Sequence, residues 1–441
     1  MRLRRVFPVC RTMLLVGGAS LATLLPGFAP DHAAAARDVL VAETDQRSLQ
    51  DTCLGRTNSS AAHMVEACTA MLEADAPAPR ERAAAHLIRA QAYVQLRDQP
   101  RAKADFLKSI ELFEGALAYE KSDDDALLKR AVAFQSLGEV NRALDDYNAA
   151  LLLRPNNVAA LIGRGNVLAD YKADLGRAII DFNAAITLQP DNVQALIRRG
   201  NAQARQGHDG QALADLDRAI SLAPDNAQAH FSRGLVNAGR GQDMTAIADY
   251  TRALSIAPTH VWALINRAAL YSTANENGNA LRDLDKAIAL DPEVAVAFYN
   301  RGYAHFSDRN YEKALSDYSE AIKLEPNMPS AYGNRCLIRA ITGNDLQLAL
   351  ADCDQALKLA PQSLDTRETR GFIHLKIGDP DTALAEYDIA LKANPNRALA
   401  LYGRGLAQIA KGQTALGEAS KAAARSINPN VEQQFSIYGL K

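Results

Sequence analysis

The sequence predicts an all-α solenoid, and three observations predict it. Nine prolines, Pro155, Pro190, Pro224, Pro258, Pro292, Pro326, Pro361, Pro395 and Pro429, recur every 34 or 35 residues of the 441-residue chain. The segments between them are versions of one phrase, as in ALADLDRAISLAPDN (212–226), AIADYTRALSIAPTH (246–260), ALRDLDKAIALDPEV (280–294) and ALSDYSEAIKLEPNM (314–328). Within the phrase, apolar residues recur at spacings of three and four, which places them on one side of a helix. A period in this range means one supersecondary unit copied and stacked, each unit burying its apolar face against the next.

Each unit divides into two helices. The phrase ahead of the repeated one, as in VQALIRRGNAQARQG (193–207), has helical spacing and ends at a glycine suited to a tight turn. The second helix then runs to the proline, which cannot continue it and opens the next unit.

The 34-residue period, a small residue in the first helix, an alanine opening the second, another one turn later and a closing proline together resemble the tetratricopeptide repeat. The resemblance covers 83–431 as about ten repeats, with starts near Ala83, Asp124, Val158, Val193, Ala227, Val261, Ala295, Pro329, Leu364 and Ala398. It implies a right-handed superhelix of helix-turn-helix units. Repeats one and two are separated by seven extra residues around ELFEGALAYEKSDDD, so the second helix of repeat one is expected to run long before the Asp123–Asp125 acids start the next helix.

An arginine recurs in every first helix: Arg89, Arg130, Arg164, Arg199, Arg233, Arg267, Arg301, Arg335, Arg370 and Arg404. An acid answers it sixteen or seventeen residues later at Asp105, Asp146, Asp181, Asp215, Asp249, Asp283, Asp317, Asp352 and Glu386; only the last repeat lacks it, with Ser420. Matched exchange of both columns predicts a ladder of ion pairs between packed helices. A nucleic-acid track would not need one acid per arginine, and the net charge is −2. Whether each arginine meets the acid of its own repeat or of a neighbour is left open by the spacing.

Residues 1–36 read as a secretory signal peptide: Arg2, Arg4, Arg5 and Arg11 precede the apolar run 13–25, with Ala33–Ala36 as the cleavage region. Thirteen apolar residues are few against the ~20 that span a bilayer, so no membrane span is expected after cleavage. The expected location is the periplasm, with secretion to the exterior as the alternative. Four cysteines then remain in two local pairs, and proximity predicts disulfides Cys53–Cys68 and Cys336–Cys353, although a buried thiol role for Cys336 and Cys353 stays open. Residues 37–82 are expected to form a linker and a partial repeat or cap, and 432–441 a C-terminal capping tail.

No H-E-x-x-H, phosphate-loop, nucleophile-elbow or dinucleotide-binding motif occurs, the eight histidines are scattered, and no cofactor or metal site is implied, so the expectation is a non-enzyme. In the family, first helices line a concave groove that accepts a peptide or helix of a partner protein. Carried over residue by residue, the resemblance gives Phe231, Trp262, Ile265, Tyr299, Tyr303, Phe306 and Leu337 as apolar groove residues. Asn266, Asn300 and Asn334 form an amide column able to bond a peptide backbone. Packing between repeats is the other role open to these side chains. The lysine of the family's carboxylate clamp is replaced in every repeat, for instance by Ile265, Tyr299 and Glu368. The expected function is a protein-interaction scaffold, with self-assembly through homo-oligomers or service as an accessory subunit to a catalytic partner as alternatives.

Overall fold

The computed structural model describes residues 51–54, 59–73, 78–343 and 345–437, and all regular structure among them is helical. The proposed leader, its cleavage region, residues 37–50 and the last four residues of the chain lie outside the described residues. Two compact units divide in sequence between His260 and Val261.

In the first unit, a short turn ending at Leu54 and α1 (Ala61–Glu73) precede five helix pairs: α2 (Pro79–Gln95) with α3 (Gln99–Tyr119), α4 (Asp124–Ser136) with α5 (Val140–Leu153), α6 (Val158–Asp170) with α7 (Leu175–Leu188), α8 (Val193–Arg205) with α9 (Asp209–Leu222), and α10 (Ala227–Gly239) with α11 (Asp243–Ile256). In the second unit the pairs are α12 (Val261–Thr273) with α13 (Asn277–Leu290), α14 (Ala295–Ser307) with α15 (Tyr311–Leu324), α16 (Pro329–Thr342) with α17 (Leu346–Leu359), α18 (Leu364–Lys376) with α19 (Pro380–Ala393), and α20 (Ala398–Ala410) with α21 (Thr414–Ile427), closed by α22 (Val431–Ile437). Within each unit, a first helix packs on its own second helix and on the second helix before it. The 21-residue α3 accommodates the residues inserted between repeats one and two.

Local chemistry sets the ends. Asn157, Asn192 and Asn226 accept a hydrogen bond from the backbone N–H three residues on, satisfying a donor that the helix leaves orphaned. Most turns between paired helices use a glycine with positive φ, such as Gly207 (φ 80°). Arg97, Ala173, Asn275 and Arg309 adopt the same left-handed conformation at other turns, where a Cβ makes it more costly.

The arginine ladder answers the question left open by the spacing. Arg164 donates from Nε to Asp181 Oδ2 at 2.8 Å and from Nη2 to Oδ1 at 2.7 Å, a two-pronged fork within its own repeat. Its Nη1 donates to Asn148 Oδ1 at 2.8 Å, on the second helix of the preceding repeat. The fork recurs from Arg89 to Asp105, Arg130 to Asp146, Arg199 to Asp215, Arg233 to Asp249, Arg267 to Asp283, Arg301 to Asp317 and Arg335 to Asp352. The third prong recurs from Arg199 to Asn183, Arg233 to Asp217, Arg301 to Asp285, Arg335 to Ser319 and Arg370 to Asp354. One guanidinium therefore ties three helices. The forked acids keep only 5–11% of their side-chain exposure, whereas Asp217, Asp285 and Asp354 are 60–63% exposed. Arg370 meets Glu386 through Nη2 alone; its Nε, like that of Arg404 at the last repeat, where Ser420 stands for the acid, has no hydrogen-bond partner among the described residues.

Beside the ladder runs a size rule. The residue after each arginine is small and the residue after each acid is usually large: a Cβ on Gly234 would lie 2.6 Å from the Tyr250 ring. Cys336 and Cys353 occupy these same two places and are joined by a disulfide, with Cα atoms 5.5 Å apart. Cys53 and Cys68 are joined likewise ahead of α2, and Arg89 donates to Thr69 of α1. On a chain-entropy model, cross-links of this loop length stabilise by ~3 kcal/mol each.

Burial opposes ionisation of Asp105, but hydrogen bonds from Arg89 and His86 outweigh it and hold the carboxyl below its ordinary value. A depressed carboxyl contributes stability that is present above about pH 4, its unfolded value, and lost as pH falls through the folded one. Acid titration followed by circular dichroism is expected to show Asp105→Asn already destabilised at pH 7, and to lose less stability than wild type between about pH 4 and pH 2.

Candidate partner-binding face

In the unit beginning at Val261, the first helices α12, α14 and α16 carry most of the residues expected to line a groove. On α14, Tyr299, Tyr303 and Phe306 stand at i, i+4 and i+7, one helix face, and all three are half-buried. Trp262 on the first turn of α12 is also half-buried, as are Asn300 and Asn334. Large rings thus stay partly open to solvent.

These rings are braced from behind. Tyr299 lies with its ring centroid 5.7 Å from that of Tyr318, and its hydroxyl accepts a hydrogen bond from Asn334 Nδ2 at 3.3 Å. Asn334 also donates to the Tyr318 hydroxyl at 3.3 Å. Burial drives the Tyr318 phenol well above its ordinary value, so it is a neutral hydroxyl across the accessible pH range. Phe306 packs 6.0 Å from Tyr311, and burial raises the Tyr303 phenol as well. The sequence reading did not single out Tyr318 or Tyr311; their place on second helices facing the aromatic column was the signal.

Other expected groove residues are corrected by burial. Ile265 and Leu337 keep 2% and 4% exposure, and in the unit ending at His260 Phe231 keeps 6%. They back the surface rather than present a face to a ligand. Phe231 packs on Tyr250 and on His260, whose imidazole burial pushes below its ordinary value. The three asparagines do not form a uniform column either. Asn266 is buried and donates to the backbone carbonyl of Trp262 at 2.9 Å, Asn334 serves the tyrosines, and Asn300 is half-buried.

Further along the same unit, Glu368 stands where a carboxylate clamp would need a lysine. Burial pushes its carboxyl up, against two hydrogen bonds from Arg397 at 2.6 and 2.7 Å. Among the described residues no group of three or more His, Cys, Asp or Glu is arranged to hold a metal ion, and no helix is long and apolar enough to cross a membrane.

Tetratricopeptide-repeat family profiles match residues 128–193, 197–261, 295–328 and 370–430. The chain belongs to the tetratricopeptide-repeat family. That membership supports a protein–protein interaction scaffold. No curated protein matches the chain. Among solved structures, it is similar to YrrB, a tetratricopeptide-repeat protein with an unusual peptide-binding site, at 28% identity over 43% of this chain and 96% of that one, TM-score 0.34. It is similar also to PilF of Pseudomonas aeruginosa at 20% identity over 47% and 94%, TM-score 0.44, and to the Cut9–Hcn1 hetero-tetramer of the APC/C at 14% identity over 91% and 96%, TM-score 0.49.

Asn334→Ala removes the donor shared by two tyrosine hydroxyls, and the expected loss is ~1–2 kcal/mol in chemical denaturation. The expected companion effect is greater acrylamide quenching of tyrosine emission in a Trp262→Phe background, as the Tyr299 ring loosens.

Proposed function

We propose that the chain is an exported, non-catalytic scaffold that binds a peptide or helix of a partner protein on the first-helix face around α12, α14 and α16. Trp262, Tyr299, Tyr303 and Phe306 supply the apolar contact, and Asn300 and Asn334 the polar contact. The observation that carries the reading is the row of aromatic side chains at i, i+4 and i+7 on α14, held rigid by Tyr318, Tyr311 and Asn334 yet half open. Pre-braced aromatic rings lose little freedom on docking, and such residues concentrate binding energy at interfaces. Two disulfides suit an oxidising compartment, and together with the leader read at 1–36 they favour the periplasm over the cytosol, with the cell exterior as the alternative.

The test is capture from periplasmic extract on the full chain, compared with a Trp262→Ala/Tyr299→Ala variant whose circular dichroism matches wild type. The expected outcome is that specific captured proteins fall about tenfold or more, the effect of removing hot-spot aromatics. Undiminished capture by the variant contradicts this face, and concentration-dependent self-association in light scattering with no captured protein points to a second copy as the occupant.

A further inference from the structure

In the unit beginning at Val261, α22 starts as a further first helix would: Val431 and Phe435 take the places that Ala398 and Tyr402 hold on α20. It then departs from the pattern. Where α20 has its ladder arginine, Arg404, α22 has Ile437, so no fork pins it to a second helix. It has seven residues, and isolated helices shorter than about 12 residues are marginal in water. Its buried side chains are Val431 and Phe435, at i and i+4 on one face, whereas the 13-residue α20 buries six residues. Glu432, Gln433 and Ser436 on the other side are exposed.

The surface beneath α22 is aromatic. The Phe435 ring centroid lies 5.0 Å from that of Tyr402 on α20 and 6.1 Å from that of Phe372 on α18. In their own repeats these two rings hold the places that Tyr299 and Tyr303 share on α14. Tyr402 and Tyr299 come two residues before the ladder arginine, and Phe372 and Tyr303 two residues after it. On α14 both places are half-buried, whereas Tyr402 and Phe372, with Phe435 upon them, keep 4% and 3% exposure. Lys421 Nζ stands 5.6 Å from the Tyr402 centroid and Lys376 Nζ 5.0 Å from that of Phe372, so each ring also meets a cation. A polar anchor completes the contact: the Tyr402 hydroxyl donates to Glu432 Oε1 at 3.2 Å, and Arg425 Nη2 donates to Glu432 Oε2 at 3.3 Å. Burial, and then the charge of Glu432, raise the Tyr402 phenol and keep its hydroxyl a donor.

We propose that Phe372, Tyr402 and Arg425 form a second binding site, for a short amphipathic helix of a partner protein, and that α22 fills it within the same molecule until such a helix displaces it. The seated α22 specifies the chemistry of the ligand. It offers an apolar residue, an acid directly after it and an aromatic residue one turn on, as Val431, Glu432 and Phe435 do. The aromatic ring packs on Tyr402 and Phe372, and the acid takes the hydrogen bonds of Tyr402 and Arg425. Because α22 is tethered through the short link Asn428–Asn430, it competes at high effective concentration and sets a threshold that a partner helix must exceed. This site lies outside the face around α12, α14 and α16 and does not rest on it.

The experiment is fluorescence anisotropy of the full chain with a labelled peptide of residues 428–437, acetylated and C-terminally amidated, against the same peptide carrying Phe435→Ala. The chain variant Val431→Ala/Phe435→Ala, which loosens the resident helix, is expected to bind the first peptide about tenfold or more tighter than wild type does. It is expected to ignore the alanine peptide, and to lose the binding when Tyr402→Leu is added. In the unsubstituted chain, native-state hydrogen exchange is expected to be about tenfold or more faster in α22 than in α20 and α21, because α22 opens by itself. Trp262→Ala/Tyr299→Ala is expected to leave both readouts unchanged. No peptide binding by a double variant whose circular dichroism matches wild type overturns the proposal. A double variant that loses the fold of the last repeat, or equal exchange of α22 and α20, also overturns it, since α22 is then a fixed part of that repeat. Protection of α22 that rises with protein concentration overturns the arrangement within one molecule and makes α22 of a second copy the occupant.

Discussion

The fork that eight of the ten ladder arginines make onto the acid of their own repeat is the constraint on which the rest depends. A guanidinium is planar and presents its donors in a fixed pattern, so once two prongs hold Asp181 or Asp249, the third can point in only one direction. That direction is the second helix of the preceding repeat, where Asn148 or Asp217 accepts it. Helix crossing within a repeat and stacking between repeats are thereby set by one side chain. The two tasks have different strengths. Paired burial makes the fork costly to break on one side, while the third prong ends mostly on exposed residues such as Asp217 and Asp285 and contributes little by itself.

Packing follows from the same geometry. Because the fork fixes how closely the two helices approach, the next residue on the first helix must be small wherever its facing neighbour is large, as Gly234 is beneath Tyr250. The cystine of Cys336 and Cys353 satisfies the same space with a covalent link. With the framework held from inside, the faces of the first helices are released from structural duty, and their side chains vary from aromatic on α14 to cationic on α8. A scaffold built this way separates what holds it together from what it presents.

Much of this was legible in the sequence because the period is a packing period. The proline metre and the alternation of small and large residues reflect contacts made many times over, so each copy reinforces the reading of the others. The two columns of charge predicted pairing, but spacing alone could not distinguish an acid in the same repeat from one in the neighbour, since both lie one helix away. The partner-binding face was less readable. Phe231, Ile265 and Leu337 occupy places that face outward in the family, yet the bulk of neighbouring helices covers them, and that depends on tertiary packing. Asn266 looked like part of a ladder, but its amide turns back to its own helix.

The measurement that tests the account most directly is a pair of double-mutant cycles in the unit beginning at Val261, Arg301 with Asp317 and Arg301 with Asp285, read by native-state hydrogen exchange of α14 and α15. The account predicts a coupling of about 2 kcal/mol or more for the buried fork, as for close charge pairs measured by such cycles, and below about 1 kcal/mol for the exposed third prong. Equal couplings, or a fork whose coupling is indistinguishable from zero, would contradict it.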